Sequence, residues 1–280
     1  METHYDTLVL SGSCTHGIAT LGALQNAVDK GLLTKVDKYI GTSSGSMICY
    51  LLAIGYTPVE IIVHICTNQL LEKMQHFNLV GMVHGSGATS FSPIHEQLEK
   101  MSISKIGYLP TIGEIKDKLG KKLVIVTYNL TQQKIEYISD ESHHSLPCLS
   151  ALRMSCNLPL VFEQYKYGND VYVDGGITSN FPIDKGDEIG NKILGVAMTP
   201  NTGCEESTDS TNVLELIYKL LFVPINQSSQ YRIDRCSSNC TIIKLSYSKV
   251  PIFKFDLNAS EKLDMFSSGY TQFDEHFKTH

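Results

Sequence analysis

The hydrophobic positions of this chain alternate between short continuous runs and longer stretches with helical spacing. Residues 7–10 form a first apolar run, which predicts a buried strand. Apolar residues then recur every three or four positions from Ile18 to Val28, which predicts a helix that ends before Gly31. The same reasoning predicts a second strand at residues 36–40 and a second helix at 46–54.

This alternation continues through the rest of the chain. Thr57-Pro58 and Ser92-Pro93 each combine a good N-cap residue with a proline at the first helical position, so each predicts a helix start. The further predicted elements are a hairpin of residues 123–128 and 134–138, a helix at 147–155, a hairpin turning at 167–170, strands at 192–198 and 241–247, and a final helix at 259–277. Strands that alternate with helices predict an α/β fold of three layers, in which helices cover both faces of a mainly parallel sheet. We expect residues 1–280 to form a single domain of this kind.

Three segments lack a clear periodic pattern. Residues 75–92 mix glycine with apolar side chains, which is typical of a mobile cover over an apolar pocket and equally of an ordinary long loop. Residues 201–212 are predicted to be a polar, acidic loop. A basic cluster is predicted to be a solvated loop rather than a lipid-binding patch; it consists of Lys116, Lys118, Lys121 and Lys122.

Composition narrows the possible classes of function. A chain of 280 residues with 42% hydrophobic and 19% charged residues has the composition of an ordinary globular protein. Its net charge of −6 argues against a nucleic-acid partner and against general attraction to anionic membranes. No signal segment and no stretch of transmembrane length is found, so we expect a cytoplasmic protein that meets membranes only peripherally.

The eight cysteines fit a reducing compartment, because most of them lie in apolar or motif contexts. Cys236 and Cys240 are separated by three residues, but no second pair with metal-ligand spacing accompanies them. We therefore predict structural thiols at these positions and expect neither a metal nor another cofactor.

The segment from Gly41 to Gly45 has the pattern Gly-x-Ser-x-Gly and stands between a predicted strand and a predicted helix. This context is the one that a nucleophile elbow requires, because the turn is too tight for side chains two residues before and two after the serine. A chain with 21 glycines contains this pattern by chance often enough that the five letters alone are weak evidence. With its context, the pattern indicates Ser43 as a nucleophile that forms a covalent acyl intermediate.

A serine nucleophile needs a base. Only two of the ten histidines follow Asp174, and both lie in the final helix or tail, so a triad in the order Ser–acid–His is poorly supported. A pair at His143 and His144 is predicted to be solvent-facing. Asp174 is the alternative, because it ends a short predicted strand and two glycines follow it; an ordinary hairpin turn is the competing interpretation.

The loop from Gly12 to Gly17 follows the first strand and opens the first helix. Backbone N–H groups in such a loop favour negative charge, so this loop is the candidate oxyanion hole. Two nucleotide-binding patterns are excluded here, because the spacing is not Gly-x-Gly-x-x-Gly and Ile18 stands where a P-loop has lysine.

Several motifs occur in an order and spacing that belong together. They are the loop Gly12 to Gly17, the turn Gly41 to Gly45, the segment Ser150 to Ser155 before Pro159, Asp174-Gly175-Gly176, and Asn180-Phe181-Pro182. Together they resemble the patatin-like phospholipase family, clearly over residues 7–200 and only compatibly beyond. This resemblance implies an α/β/α fold and a Ser–Asp dyad that hydrolyses acyl esters of lipids or phospholipids at a membrane surface, without a metal.

The resemblance also implies roles for single residues. Ser43 would be the nucleophile, Asp174 the base, and the backbone of Gly12, Ser13 and Cys14 the oxyanion hole. The glycines that support the turns would be Gly17, Gly41, Gly45, Gly175 and Gly176.

The chain departs from the family pattern in its first loop, where the family has three glycines, a variable residue, a basic residue and glycine. Ser13 and Cys14 replace two of those glycines, and His16 replaces the arginine or lysine. Added Cβ atoms restrict the backbone, and misalignment of one oxyanion donor costs roughly 3 kcal/mol of transition-state stabilisation. Two alternatives to an active Ser–Asp hydrolase therefore stay open: a lipid-binding protein with impaired catalysis, and an esterase or thioesterase with His143 or His144 as base.

Overall fold

The computed structural model describes residues 4–67, 87–199, 213–252 and 254–279. Within these ranges the strands are β1 Thr7–Leu10, β2 Lys38–Thr42, β3 Lys122–Asn129, β4 Lys134–Ile138, β5 Tyr165–Tyr167, β6 Asp170–Asp174, β7 Ile193–Met198 and β8 Cys240–Leu245. The helices are α1 Gly17–Asp29, α2 Ser44–Ala53, α3 Pro58–Thr67, α4 Ser92–Ile106, α5 Ile112–Leu119, α6 Cys148–Ser155, α7 Gly176–Ser179, α8 Ile183–Ile189, α9 Val213–Ile233 and α10 Ala259–Thr279.

Hydrogen bonds link the strands into one mixed sheet through the successive pairings β5-β6-β3-β2-β1-β7-β8. Strand β4 also pairs with β3. The central pairings of β1 with β2 and β7, of β2 with β3 and of β7 with β8 are parallel. The pairings of β3 with β4 and β6, and of β5 with β6, are antiparallel. The mainly parallel part is thus the centre of the sheet, and the antiparallel strands lie toward one side.

Both faces of the sheet are buried, as β1 illustrates. Leu8 and Leu10 belong to the larger hydrophobic core, whereas Val9 between them belongs to a second core on the opposite face. Successive side chains of a strand point to opposite faces, so a continuous apolar run is what a strand covered on both sides requires. Helices pack on both faces, and the predicted three-layer α/β/α fold is confirmed.

Helices α1 and α10 cross with their backbones in direct contact. A Cβ atom added at Gly22 would lie 1.8 Å from the Phe266 carbonyl oxygen, and one added at Gly269 would lie 1.9 Å from the Ala19 carbonyl oxygen. Only glycine permits this approach at either position. The crossing fixes the C-terminal helix against the helix that begins directly after the first glycine loop.

Two local predictions need correction. The second strand is β2 Lys38–Thr42 rather than 36–40, because its pairings with β1 and β3 begin at Lys38 and the pairing with β3 extends to Thr42. The predicted basic loop is wrong for Lys116 and Lys118, which are exposed residues of α5. The signal for this helix was present in the sequence, since Thr111 and Glu114 form a capping box at its start.

Other predictions fall partly outside the described residues. The predicted cover at 75–92 is described only from residue 87, where Thr89 pairs with Phe162 in an isolated bridge. The predicted loop at 201–212 and the continuation of α3 beyond Thr67 also lie outside. In the part of the chain that is described, no single helix meets the length and hydropathy of a membrane span; α2 and α3 meet them only as a pair, which is bent by 118°.

Candidate active site

Ser43 lies at the tip of the turn between β2 and α2, with a left-handed φ of 53° and a ψ of −128°. The two flanking glycines are required by close backbone approach. A Cβ atom at Gly41 would lie 2.6 Å from the Gly45 carbonyl, and one at Gly45 would lie 2.5 Å from the Ser11 carbonyl oxygen. The turn therefore has the sharp, strained conformation that presents a serine hydroxyl at the end of a strand.

The Ser43 hydroxyl donates a hydrogen bond of 2.6 Å to Asp174 Oδ2. The other carboxylate oxygen, Oδ1, accepts the backbone N–H of Gly176 at 2.7 Å. A Cβ atom at Gly175 would lie 2.3 Å from the Val126 carbonyl oxygen, so the chain passes this point only with glycine. Both oxygens of the carboxylate are thereby held in a fixed orientation toward Ser43.

The register of β3 explains how two residues so far apart in sequence meet. Thr42, the last residue of β2, pairs with Val126, and Asp174, the last residue of β6, pairs with Thr127. Strand β4 pairs along the same stretch of β3, so β2 and β6 must share its other edge. They approach each other from opposite directions along that edge, and their carboxyl ends meet beside two consecutive residues of β3.

Burial gives the Asp174 carboxylate the properties of a base. Asp174 is only 4% exposed. Burial raises the pKa of Asp174 to about 6, although the hydrogen bonds from Ser43 and from the Gly176 N–H act in the opposite direction. A carboxylate with this pKa is ionised at neutral pH and accepts a proton more readily than an exposed aspartate.

Ser155 stabilises the Ser43 turn through two hydrogen bonds. Its Oγ accepts the Ser43 backbone N–H at 2.9 Å and donates to the Val126 carbonyl oxygen at 2.6 Å. Ser155 is fully buried at the end of α6. The sequence placed this serine in a family-like segment, but it gave no signal for a contact with the Ser43 turn.

The first glycine loop lies directly against Ser43. A Cβ atom at Gly12 would lie 3.1 Å from the Ser43 Cβ and 2.4 Å from the Asn180 Oδ1. The Gly12 N–H donates to the Asn180 carbonyl at 3.1 Å, and the Asn180 side-chain amide donates to the Gly12 carbonyl at 3.1 Å. Asn180 thus holds the loop in place through two hydrogen bonds. The Asn180-Phe181-Pro182 motif in the sequence did not indicate this contact.

The N–H groups predicted to form an oxyanion hole differ in their availability. The Gly12 N–H donates to Asn180, and the Ser13 N–H donates to the Ser44 Oγ at 2.9 Å. For the Cys14 N–H, no acceptor is found among the described residues. Cys14 has a left-handed φ of 48°, a conformation that glycine adopts without strain. Two of the three predicted donors are therefore already engaged within the protein.

The Cys14 thiol is close enough to Asp174 to be affected by its charge. Burial, together with the negative charge of Asp174, raises the pKa of this thiol to about 12. The thiol is therefore neutral at physiological pH and adds no negative charge beside Asp174.

His16 is not a surface cation beside the site. It is 6% exposed, its Nε2 lies 2.8 Å from the Val250 carbonyl oxygen, and its ring contacts Tyr247 edge-on at 5.6 Å. Burial lowers the pKa of His16 below its ordinary value, so the ring is neutral at pH 7 and donates from Nε2. Together with Thr15, whose hydroxyl donates to the Ile252 carbonyl at 2.6 Å, it ties the first loop to the segment before α10.

The two candidate histidine bases pair elsewhere. His143 Nε2 lies 3.8 Å from Glu136 Oε2, and His144 Nε2 lies 3.0 Å from Asp117 Oδ2. His144 is exposed, as predicted. Neither histidine has a contact with Ser43 among the interactions of the described residues, whereas Asp174 does.

A cavity of about 110 Å³ is lined by Ser44, the residue directly after Ser43, and by Cys14 of the first loop. Its other walls come from α1, α2, α3 and α4. Most of its lining side chains are apolar; the polar ones are Thr15, Ser44, His64 and Gln97, and none of the described ones is Lys, Arg, Asp or Glu. The cavity therefore suits an uncharged, largely hydrocarbon group.

Comparison with known proteins agrees with this geometry. A family model described as patatin-like phospholipase matches residues 8–186. The chain belongs to the patatin-like phospholipase family. Protein 463L of Invertebrate iridescent virus 6, named a probable lipid hydrolase, is 36% identical over 187 residues, which are 65% of this chain and 63% of the viral protein. The chain thus matches somewhat less than two thirds of that relative's length.

One further relative and two solved structures are also similar to this chain. The calcium-independent phospholipase A2-gamma of Rattus norvegicus is 25% identical over 192 residues, covering 62% of this chain and 25% of the rat protein. The structure of VipD from Legionella pneumophila superposes with a TM-score of 0.56 at 16% identity, covering 99% of this chain and 67% of VipD. The ExoU–SpcU complex of Pseudomonas aeruginosa gives 0.54 at 15% identity, covering 98% and 51%. Both structures support the patatin-like fold.

Proposed function

We propose that this protein is a lipid acyl hydrolase in which Ser43 is the nucleophile and Asp174 the general base. The observation that carries this proposal is the hydrogen bond of 2.6 Å from Ser43 Oγ to Asp174 Oδ2. It is supported by the raised pKa of Asp174, by the strained turn that presents Ser43, and by family membership.

The geometry suggests a two-step reaction. Ser43 Oγ attacks the carbonyl carbon of an acyl ester while Asp174 Oδ2 takes the hydroxyl proton. When the tetrahedral intermediate collapses, the carbon–oxygen bond to the alcohol breaks and Asp174 returns the proton to the leaving oxygen. A water molecule then attacks the acyl-enzyme, again losing its proton to Asp174, and the Ser43 oxygen recovers a proton as the fatty acid leaves.

Stabilisation of the negative oxygen is assigned to the first loop. The Cys14 N–H is the donor that the described contacts leave available, and the Ser13 N–H becomes a second donor if the oxyanion replaces Ser44 Oγ as its acceptor. The N-terminus of α2, which begins directly after Ser43, favours negative charge at the same place.

The apolar cavity beside Ser44 supports a lipid as the substrate class, because it would hold the first carbons of an acyl chain. The names of the viral and rat relatives point to the same class. We further propose that the protein acts on phospholipid at a membrane surface.

Turnover by matched variants tests the proposal. We expect purified protein to release fatty acid from phosphatidylcholine vesicles or from short-chain esters, and Ser43→Ala and Asp174→Asn each to reduce kcat at least 1,000-fold. Undiminished turnover in either variant would refute the assigned dyad. Ser229→Ala is the matched control, since the hydrogen bond that its hydroxyl makes among the described residues is to the Ile225 carbonyl in α9, and its loss should leave kcat unchanged.

A second candidate is a patatin-fold protein that binds lipid without turnover. The engagement of the Gly12 and Ser13 N–H groups favours it, because a site lacking two oxyanion donors loses several orders of magnitude in rate. A fluorophosphonate probe separates the two: labelling of Ser43 that is lost in Ser43→Ala supports the hydrolase, and intact vesicle binding without labelling supports the binding protein.

A further inference from the structure

Helix α4 buries two polar residues, of which Ser102 bonds to Tyr50 and to the Leu98 carbonyl and Gln97 bonds to neither. Ile94, Leu98 and Met101 recur at the spacing of an apolar helical stripe, and all three are buried. Gln97 lies on the same stripe and is 9% exposed, at a position where the periodicity calls for a hydrophobic residue. A polar residue in a core stripe breaks the local rule, and such exceptions concentrate at functional sites.

The Gln97 side chain lines the same cavity that begins at Cys14 and Ser44. Within the described ranges, no hydrogen bond of its amide to another residue is found. A largely buried amide without a protein partner is unusual on the core face of a helix, where leucine or methionine would pack without a polar group. The amide has both a donor and an acceptor available for a bound molecule.

The lining of the cavity limits what could reach Gln97. None of the described lining residues is Lys, Arg, Asp or Glu, so a charged headgroup would find no counter-charge in it. An uncharged acyl segment with one oxygen along its length fits both the apolar walls and the amide.

We propose that Gln97 is a specificity-determining residue that favours acyl chains bearing a carbonyl or hydroxyl oxygen a few carbons from the ester. This inference rests on the proposed function, because it assigns the acyl chain to the cavity beside Ser43. The polar acyl group would accept or donate one hydrogen bond to the Gln97 amide, while the apolar walls contact the remaining methylenes.

Paired esters that differ by one oxygen test the inference directly. The substrates are 4-methylumbelliferyl 4-oxopentanoate against pentanoate, and 5-oxohexanoate against hexanoate. For at least one pair we expect the wild type to show a kcat/KM threefold to tenfold higher for the oxo ester, the range that one net hydrogen bond supplies. Gln97→Met, which keeps the length of the side chain, should bring that ratio to one or below.

A control variant and a measurement without turnover complete the test. Leu98→Met changes the shape of the same cavity without removing a polar group, so it should leave the ratio unchanged. Gln97→Met should also raise the melting temperature, because it replaces a largely buried amide by an apolar group of similar length. Equal ratios for the wild type and Gln97→Met would overturn the inference and leave the proposed function intact.

Failure of the proposed function would have a different signature. If the wild type hydrolysed none of the four esters, the hydrolase proposal would fail, and binding of the N-methyl amides of hexanoate and 5-oxohexanoate would decide the inference. A larger thermal shift with the oxo amide in the wild type, lost in Gln97→Met, would support a role for Gln97 in recognition. Equal shifts in both proteins would overturn it.

Discussion

The Ser13 N–H donates to the hydroxyl of Ser44, the residue directly after the nucleophile, over 2.9 Å, and the two hydroxyl oxygens lie 3.1 Å apart. The side chain next to Ser43 thus occupies a backbone donor that the proposed oxyanion hole needs. An oxyanion must replace this hydroxyl before Ser13 contributes to catalysis.

Removal of the Ser44 hydroxyl should release this donor. We expect Ser44→Ala to raise kcat roughly threefold to tenfold, because the oxyanion no longer competes with an internal acceptor. The same change leaves a buried N–H without its partner and should lower the free energy of unfolding by about 1 kcal/mol. Steady-state kinetics and urea denaturation measure the two effects. A lower kcat with normal folding would mean that Ser44 positions the loop instead of competing with the substrate.

The pH dependence of activity should follow the ionisation of Asp174. Because only the carboxylate form accepts the Ser43 proton, kcat/KM for a neutral ester should rise with pH through about 6 and then become constant. A double variant, His143→Ala with His144→Ala, serves as the control and should keep both the rate and the profile. Loss of turnover in that variant would instead support a histidine base.

Stability should change with pH in the opposite direction. The pKa of Asp174 is raised from 3.8 to about 6 by folding, so its favourable contribution is complete below the unfolded value and is lost as pH rises through about 6. A difference of this size corresponds to roughly 3 kcal/mol, so Asp174→Asn should be more stable than the wild type at pH 8 by up to that amount. Denaturant unfolding at pH 4 and pH 8 tests this expectation. Asp256→Asn removes a carboxylate at an exposed position and is the control; it should change the free energy of unfolding by less than about 0.5 kcal/mol.

Ser155 offers a test of how the nucleophile turn is held. Ser155→Ala removes the acceptor of the Ser43 N–H, so we expect kcat to fall about tenfold with KM unchanged. Ser102→Ala is the matched control, since Ser102 is also fully buried but bonds to Tyr50 and Leu98. It should lower stability to a similar extent and leave kcat unaffected. Equal kinetic losses in the two variants would reduce the role of Ser155 to general stability.

The crossing of α1 and α10 should tolerate no added side-chain atom. Gly269→Ala places a Cβ atom against the Ala19 carbonyl, and we expect it to cost about 3 kcal/mol and roughly 5–10 °C in melting temperature. Gly31→Ala, where open space surrounds the Cβ position but φ is 70°, should cost only about 1 kcal/mol. Comparable losses in both would argue against close contact at the crossing.

Local patterns were sufficient to predict much of this molecule. Strand β1, the Ser43 turn and the hairpin of β3 and β4 depend on neighbouring residues, and each has a periodicity or turn signal in the sequence. Asp174 was a candidate partner of Ser43 from the lack of a suitable histidine and from family resemblance, but the contact itself had no local signal, because it is created by the register of β2 and β6 on β3.

The contacts of the first loop escaped prediction for a related reason. The burial of His16 depends on Val250 and Tyr247, more than 230 positions along the chain, and nothing near His16 indicates them. An arginine at this position, as the family pattern has, would place a charge where this chain has a neutral buried ring. Reversion toward the family loop is therefore best attempted at Ser13 and Cys14 alone.

The end-to-end meeting of β2 and β6 along one edge of β3 leaves much of the intervening chain free to diverge. The spacing of Ser43 and Asp174 is set by two adjacent residue pairs of the sheet and not by the 131 positions of chain that separate them. Insertions and deletions in that interval leave this distance unchanged as long as they spare β3, β6 and the Ser155 contact. Evolution can therefore rebuild the helices that line the cavity while the hydrogen bond between Ser43 and Asp174 stays the same.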